Sequence, residues 1–350
     1  MNANSYLNQA YAQGTHADDD GSLMVLSQRP FGDSRFKGNQ RKGMVYTKFG
    51  DQVFERCVKL DDHRDRQRHF KPEYDFQYPS ISEVITAYLT NNFHHEAFLS
   101  RLSYSFEVIQ EHGRQITGSS APNFLGDDGL EVILANDSPN PEIYEHYAVT
   151  MEEFAHNVAD CGDNQQTLLH LIDYYQRYGV SPEHAKRFLV QQAGFDLLVG
   201  NTDRKQNMGN FVMIQRLNGL VHPLNFDYGR CLPMYWTDRI NAQFGSGKLQ
   251  LGEVELEQDY ANDVIRTRGG IFGNRTRFED NVKELLNNGF MPFQIDHRTL
   301  TNRLNDLCEE VQFKAPQLYW YARTKANVLL RVLADPKTQA LWEDCSASDL

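Results

Sequence analysis

From Met24 to about Leu60 the short apolar runs MVL, MVYTKF and VFERCVKL alternate with the polar or Gly-rich stretches PFGD, FKGNQRKG and FGDQ. Short runs bounded by turn residues predict strands joined by hairpins, hence a small antiparallel sheet. The period then changes. In SISEVITAYLTNNF, residues Ile81, Val84, Ile85, Tyr88 and Leu89 recur at helical spacing, which predicts an amphipathic helix with Ser80 or Ser82 as its cap. SYSFEVIQEHGRQITGSSAPNFL and EVILAND return to β-branched and aromatic composition and predict further strands. SPNPEIYEH, with its prolines, predicts a connector between two lobes.

Beyond about Thr150 the pattern is helical: MEEFAHNVADC, QTLLHLIDYYQRYG and SPEHAKRFLVQQAGFDLLVG, then NVKELLNNGF, LTNRLNDLCEEV and ANVLLRVLAD. Ser181 suits an N-cap and Pro182 the first helical position. A β-rich part followed by a helical part predicts an α+β fold with segregated layers rather than an alternating βαβ sheet. The expected organisation is a disordered tail over 1–22, a small β-rich N-lobe over 23–140 and a larger helical C-lobe over 141–350.

Composition narrows the function classes. With 40% hydrophobic and 23% charged residues, and no apolar run of bilayer length, the chain reads as soluble and globular, with no membrane association. Its first twenty-odd residues have neither the basic nor the apolar region of a secretory signal. The net charge of -12 argues against direct nucleic-acid binding, which needs cations that displace condensed counterions. Five scattered cysteines without CxxC spacing predict neither a disulfide framework nor a zinc site, so the expected compartment is the cytoplasm. His94-His95-Glu96 lacks the spacing of a metal triad, and the aromatic clusters Tyr174, Tyr175, Tyr178 and Tyr319, Trp320, Tyr321 are expected in the core.

Candidate chemistry concentrates in FDLLVGNTDRKQNMGNFVMIQRLNGLVHPLNFDYGR. It reads as a helix end, a polar loop, a strand, a turn at Asn218-Gly219, and a second strand leading to Asp227-Tyr228-Gly229. Each Asp, Asn or Gly alone is an ordinary turn residue. Together they supply what phosphoryl transfer requires: one carboxylate to orient the attacking hydroxyl, and a second carboxylate plus a neutral oxygen ligand to hold Mg²⁺. Asp203 is the candidate catalytic residue and Asp227 the candidate metal ligand. In the protein-kinase pattern a metal-binding Asn follows the catalytic Asp by five residues. Asn207 is one residue short of that offset and Asn210 two beyond it. Asn210 is favoured because the apolar strand follows it directly.

At these residues the chain resembles the HipA-like serine/threonine kinase family. Asn201-Thr202-Asp203-Arg204 and Asn210-Phe211-Val212-Met213 look like that family's catalytic loop, with Lys205 standing where a His is usual. Cys57-Val58-Lys59-Leu60 looks like its lysine strand, Ser82-Glu83-Val84-Ile85 like its glutamate-bearing helix, and the segment from Phe31 to Gly43 like its phosphate-covering loop. The resemblance implies a two-lobed protein-kinase-like fold and ATP and Mg²⁺ as cofactors. Lys59 would contact the phosphates, Glu83 would position Lys59, and Gly38, Asn39, Gln40 and Lys42 would cover the nucleotide. It further implies a protein substrate, a growth-inhibiting toxin-type role, a separately encoded neutralising partner replacing the missing extra N-terminal subdomain, and autophosphorylation at Ser34. The alternatives are a catalytically silent kinase-like nucleotide-binding scaffold and a small-molecule or lipid kinase.

Overall fold

The computed structural model describes residues 40–49, 52–63, 78–93, 104–111, 114–122, 130–134, 164–201, 204, 212–216, 221–224, 227–232, 254–266 and 277–345. The tail over 1–22, the run at 24–26, His94-His95-Glu96, the connector at 138–146 and the helical pattern at 151–161 lie outside the described residues.

Four strands form the first sheet: β1 (Gln40–Phe49), β2 (Gln52–His63), β3 (Ser105–Glu111) and β4 (Arg114–Pro122), in the order β1-β2-β4-β3. Two antiparallel hairpins are thus joined through β2 and β4, with Lys59 opposite Ser119. The expected antiparallel sheet is present, with one correction. Of the loop expected over Phe31 to Gly43, residues 40–43 instead belong to β1, with a register shift between Gln40 and Lys42, and residues 31–39 lie outside the described residues.

Helix α1 (Pro79–Asn91) packs against β2, β3 and β4. Ile81, Val84, Ile85 and Leu89 are fully buried, each stabilising the packing by roughly 1.5–3 kcal/mol. The cap differs from expectation. Pro79 occupies the first helical position and Tyr78 the cap, without a side-chain bond. Ser80 lies inside the first turn, and its free amide is satisfied by Asp61 at the end of β2, 3.0 Å away. A carboxylate there also complements the positive end of the helix dipole.

The rest is mostly helical: α2 (Asn164–Arg177), α3 (Pro182–Val199), α4 (Val254–Arg266), α5 (Phe278–Asn287), α6 (His297–Lys314) and α7 (Tyr319–Ala334). Helix α3 starts as its sequence predicts, with the Ser181 hydroxyl accepting from the His184 amide and Pro182 in the first turn, and ends at Gly200 in the left-handed region. Its second half is buried continuously from Phe188 to Val199, which makes it the central element of the helical layer.

Helix α4 was not anticipated, although Leu256, Tyr260, Ala261, Val264 and Ile265 form a buried stripe. Its Glu257 accepts from Asn327 and Arg331 on α7. A second antiparallel sheet joins β5 (Leu130–Leu134), β6 (Val212–Arg216) and β7 (Val221–Leu224), in that order. A short parallel pair, β8 (Phe293–Ile295) and β9 (Trp342–Asp344), closes the C-terminal region.

One apolar cluster runs from α1 through the helices. Phe93, just after α1, stacks on Phe293 at 4.2 Å and meets Phe195 of α3 edge-on, so the glutamate-bearing helix is anchored to the helical layer. Tyr174, Tyr175, Trp320 and Tyr321 are in this core, as their spacing predicts. Among the described residues no helix is long and apolar enough to cross a membrane.

Candidate active site

Three segments far apart in sequence converge on one ammonium group. Lys59 projects from β2, Glu83 from the first half of α1, and Asp227 from the turn after β7. Lys59 Nζ donates to Glu83 Oε1 at 2.6 Å and to Asp227 Oδ1 at 2.8 Å. Glu83 is fully buried, the Lys59 side chain is 14% exposed and the Asp227 side chain is one-quarter exposed. Solvent therefore reaches the triad from the Asp227 side. Burial works against the lysine's charge, but Asp227 and then Glu83 outweigh it and hold the ammonium well above the ordinary lysine range. Burial pushes the Glu83 carboxyl up, with the attraction of Lys59 opposing it. The other Glu83 oxygen accepts from the Ser119 hydroxyl on β4.

Asp227 sits at φ 61°, in the left-handed region. Aspartate tolerates that conformation better than most residues, yet it costs on the order of 1 kcal/mol. Its backbone N–H donates to the Tyr104 hydroxyl at 3.3 Å. The next residue, Tyr228, is fully buried, edge-on to Tyr104 and Phe195. The turn thus sinks the aromatic ring into the core and leaves the aspartate at the solvent edge. Strain held in place by surrounding packing commonly marks a functional turn.

Behind this turn, Arg204 is fully buried and its Nε donates to Asp196 Oδ2 on α3 at 2.8 Å. Asn201 donates to Asp196 Oδ1 at 3.0 Å. Asp196 therefore ties both ends of Asn201-Thr202-Asp203-Arg204 to the central helix. Burial opposes the charge of Arg204, and Asp196 more than offsets it.

Of the residues expected at the site, the structure brings together Lys59, Glu83 and Asp227. Lys42 of β1 is opposite Lys59 in register, and Gln40 is opposite His63. Gly38, Asn39, Asp203, Asn207, Asn210, Lys205 and Ser34 lie outside the described residues. Sequence reasoning missed Ser119, Tyr104, Asp61 and Asp196. Ser119 and Tyr104 carry no local signal. Asp61 could have been found from strand period, since it shares a face with Lys59, and Asp196 from its place one helical turn before the Gly200 cap.

The partly exposed Asp227 carboxylate is a hard oxygen donor of the kind Mg²⁺ takes, and the Lys59 ammonium beside it suits phosphate.

No family model matches the chain, and no curated protein matches it. Among solved structures, the crystal structure of a Helicobacter pylori proinflammatory kinase, CtkA, superposes with a TM-score of 0.51 at 13% identity, over 91% of this chain and 95% of that one. That likeness concerns the fold: the chain has a mixed, mostly helical kinase-like architecture with a small sheet.

Proposed function

We propose that the protein is an ATP- and Mg²⁺-dependent phosphotransferase, a HipA-like serine/threonine kinase acting on protein in the cytoplasm. The observation that carries this reading is the single ammonium of Lys59 bridging Glu83 and Asp227. Turn chemistry or core packing needs no such convergence of a strand, a helix and a strained turn. A kinase-type site needs a lysine for the phosphates, a glutamate to hold that lysine and an aspartate for the metal.

In this reading Lys59 orients the nucleotide phosphates, Glu83 keeps the ammonium in place, and Asp227 with Asn210 or Asn207 holds the metal. Bound Mg²⁺ would neutralise charge on the phosphates. Asp203 accepts the proton of the attacking hydroxyl as its oxygen bonds to the γ-phosphorus and the bond to the ADP leaving group breaks. Asp196 ties Asn201 and Arg204, the residues on either side of Thr202-Asp203, to α3. Gly38, Asn39, Gln40 and Lys42 cover the phosphates. A growth-inhibiting role, neutralisation by a separately encoded partner and phosphorylation of Ser34 belong to the same proposal.

The test separates binding from transfer in the full chain. Mg·ATP should raise the melting temperature of the wild type, and radiolabelled γ-phosphate should pass to a protein acceptor. Asp203→Ala should keep most Mg·ATP affinity and lose transfer, whereas Asp227→Ala should lose the magnesium-dependent part of the affinity. Binding without transfer to any acceptor would favour the silent nucleotide-binding scaffold. Transfer confined to small molecules would favour a metabolite or lipid kinase. A folded wild type that does not respond to Mg·ATP sinks the kinase reading.

A further inference from the structure

The Lys59–Glu83 pair is one of two parallel links between β2 and α1. Side chains two apart on a strand share a face, and residues three apart on a helix are neighbours. Lys59 and Asp61 therefore lie side by side on β2, and Ser80 and Glu83 on α1. The links run Lys59 to Glu83 and Asp61 to Ser80. Strand β4 completes both, because Thr117 and Ser119 also share a face. Ser119 donates to Glu83, and Thr117 Oγ1 donates to Asp61 Oδ2 at 2.6 Å.

Asp61 is 5% exposed. It accepts from the Ser80 amide at 3.0 Å, the Ser80 hydroxyl at 2.5 Å and the Thr117 hydroxyl at 2.6 Å. Two secondary-structure elements are thus joined through one carboxylate. The strands beneath are held close: a Cβ on Gly118 would lie 2.5 Å from the Lys59 carbonyl oxygen. Lys325 of α7 donates to the Ser82 hydroxyl. The first turn of α1 is therefore held by Asp61 and Lys325 as well as by the bonds to Glu83.

We propose that Asp61 is a positioning residue that fixes the first turn of α1 on β2 and β4 so that Glu83 meets Lys59. As a statement about catalysis it rests on the kinase reading above. As a statement about geometry it stands independently, and the test uses that difference.

Lys59 reactivity reports the pair directly, since an ammonium donating to two carboxylates acylates slowly. The full-length protein is treated with an amine-reactive acylating reagent near pH 8, and the labelling rate at Lys59 is followed by peptide mass spectrometry. Asp61→Ala should speed acylation of Lys59 by about tenfold, the scale of one lost charge-assisted hydrogen bond. Glu83→Gln should do the same. The double variant should label no faster than Glu83→Gln alone, because Asp61 acts through Glu83. Asp61→Asn, which keeps an oxygen for the Ser80 amide, should fall between.

If Asp61→Ala does not fold, Ser80→Ala and Thr117→Val each remove one link and should give smaller increases in the same direction. Unchanged Lys59 labelling in a folded Asp61→Ala protein, or additive effects in the double variant, overturns the proposal. In parallel, kcat/KM for phosphoryl transfer should fall in Asp61→Ala and show the same non-additivity with Glu83→Gln. Should the wild type neither bind Mg·ATP nor transfer phosphate, the labelling still decides the positioning claim, and only the kinase reading fails.

Discussion

Glu83 is completely buried, and the ammonium of Lys59, 2.6 Å away, is the cation that justifies its burial. The pair is asymmetric: removing the lysine strands a carboxylate in the core, whereas removing both charges does not. Breaking a buried pair from one side costs roughly 3–5 kcal/mol. Lys59→Met should therefore be markedly less stable at pH 7 than the Lys59→Met/Glu83→Gln double variant, by denaturant unfolding. The sign with pH follows from Glu83. Its folded carboxyl is already raised by burial, and losing Lys59 raises it further. The folded state then favours the protonated form, and that advantage is lost as pH rises above the ordinary glutamate range. The deficit of Lys59→Met relative to wild type should shrink between pH 7 and pH 5. A deficit that grows on acidification would contradict this account.

The same asymmetry holds at Asp196, which bonds the residues flanking Thr202-Asp203. Its carboxylate balances the buried Arg204 and also accepts from Asn201. Asp196→Ala should cost roughly 3–5 kcal/mol, with loss of transfer among the molecules that remain folded. Asp196→Leu with Arg204→Met should recover much of the stability without recovering transfer. Urea unfolding and transfer measured on the same samples separate the two effects.

The parts of this architecture legible in the sequence are those written in local periodicity. The helix at Pro79–Asn91 was readable from Ile81, Val84, Ile85 and Leu89, and α3 from Ser181 and Pro182. Asp227 was singled out by residue type and order along the chain, Lys59 and Glu83 by the resemblance of their segments to the HipA-like family, and the fold brings the three together. Strand period puts Asp61 on the face of Lys59, but its bond to the Ser80 amide, 19 residues away, has no local signal. Ser119 and Tyr104 join the site only through strand register and packing, and no sequence spacing encodes those. Helix α4 is hard to read because the buried Glu257 interrupts its five-residue apolar stripe and Asp259 and Asp263 make the segment polar.

Gly194 lies in the buried half of α3, the same helix that carries Asp196. A Cβ there would lie 2.1 Å from Cε2 of Phe290, whose ring packs edge-on against Phe293 at 5.3 Å. Ala is the better helix former by about 1 kcal/mol at an exposed position. Here overpacking of about 1–3 kcal/mol should win. Gly194→Ala should lower the melting temperature, and Gly194→Ala with Phe290→Leu should restore part of the loss. A stabilised single variant would show that the Phe290 ring can move aside.

Lys325 supplies the pH signature most specific to this fold. It is 1% exposed on α7, with its Nζ donating to Ser82 and lying 5.2 Å from the Tyr321 ring. Burial pushes its pKa down to about 7, with Cys231 and Asp61 opposing that shift. The sign follows from proton counting. Between about pH 7 and the ordinary lysine value of 10.5, the unfolded chain holds a proton that the folded protein releases, so this group makes stability rise with pH across that window. Below pH 7 both states are protonated and the cost of burying the charge is fully present. Lys325→Met keeps an unbranched apolar stem and removes the titration. Its stability relative to wild type should be most favourable at or below pH 7 and should decline by about 2 kcal/mol between pH 7 and pH 9. Paired urea unfolding curves at those two pH values check it. The loss of the Ser82 contact shifts both points alike and leaves the slope intact. Parallel stability profiles for Lys325→Met and wild type would mean that the buried amine keeps an ordinary affinity for its proton.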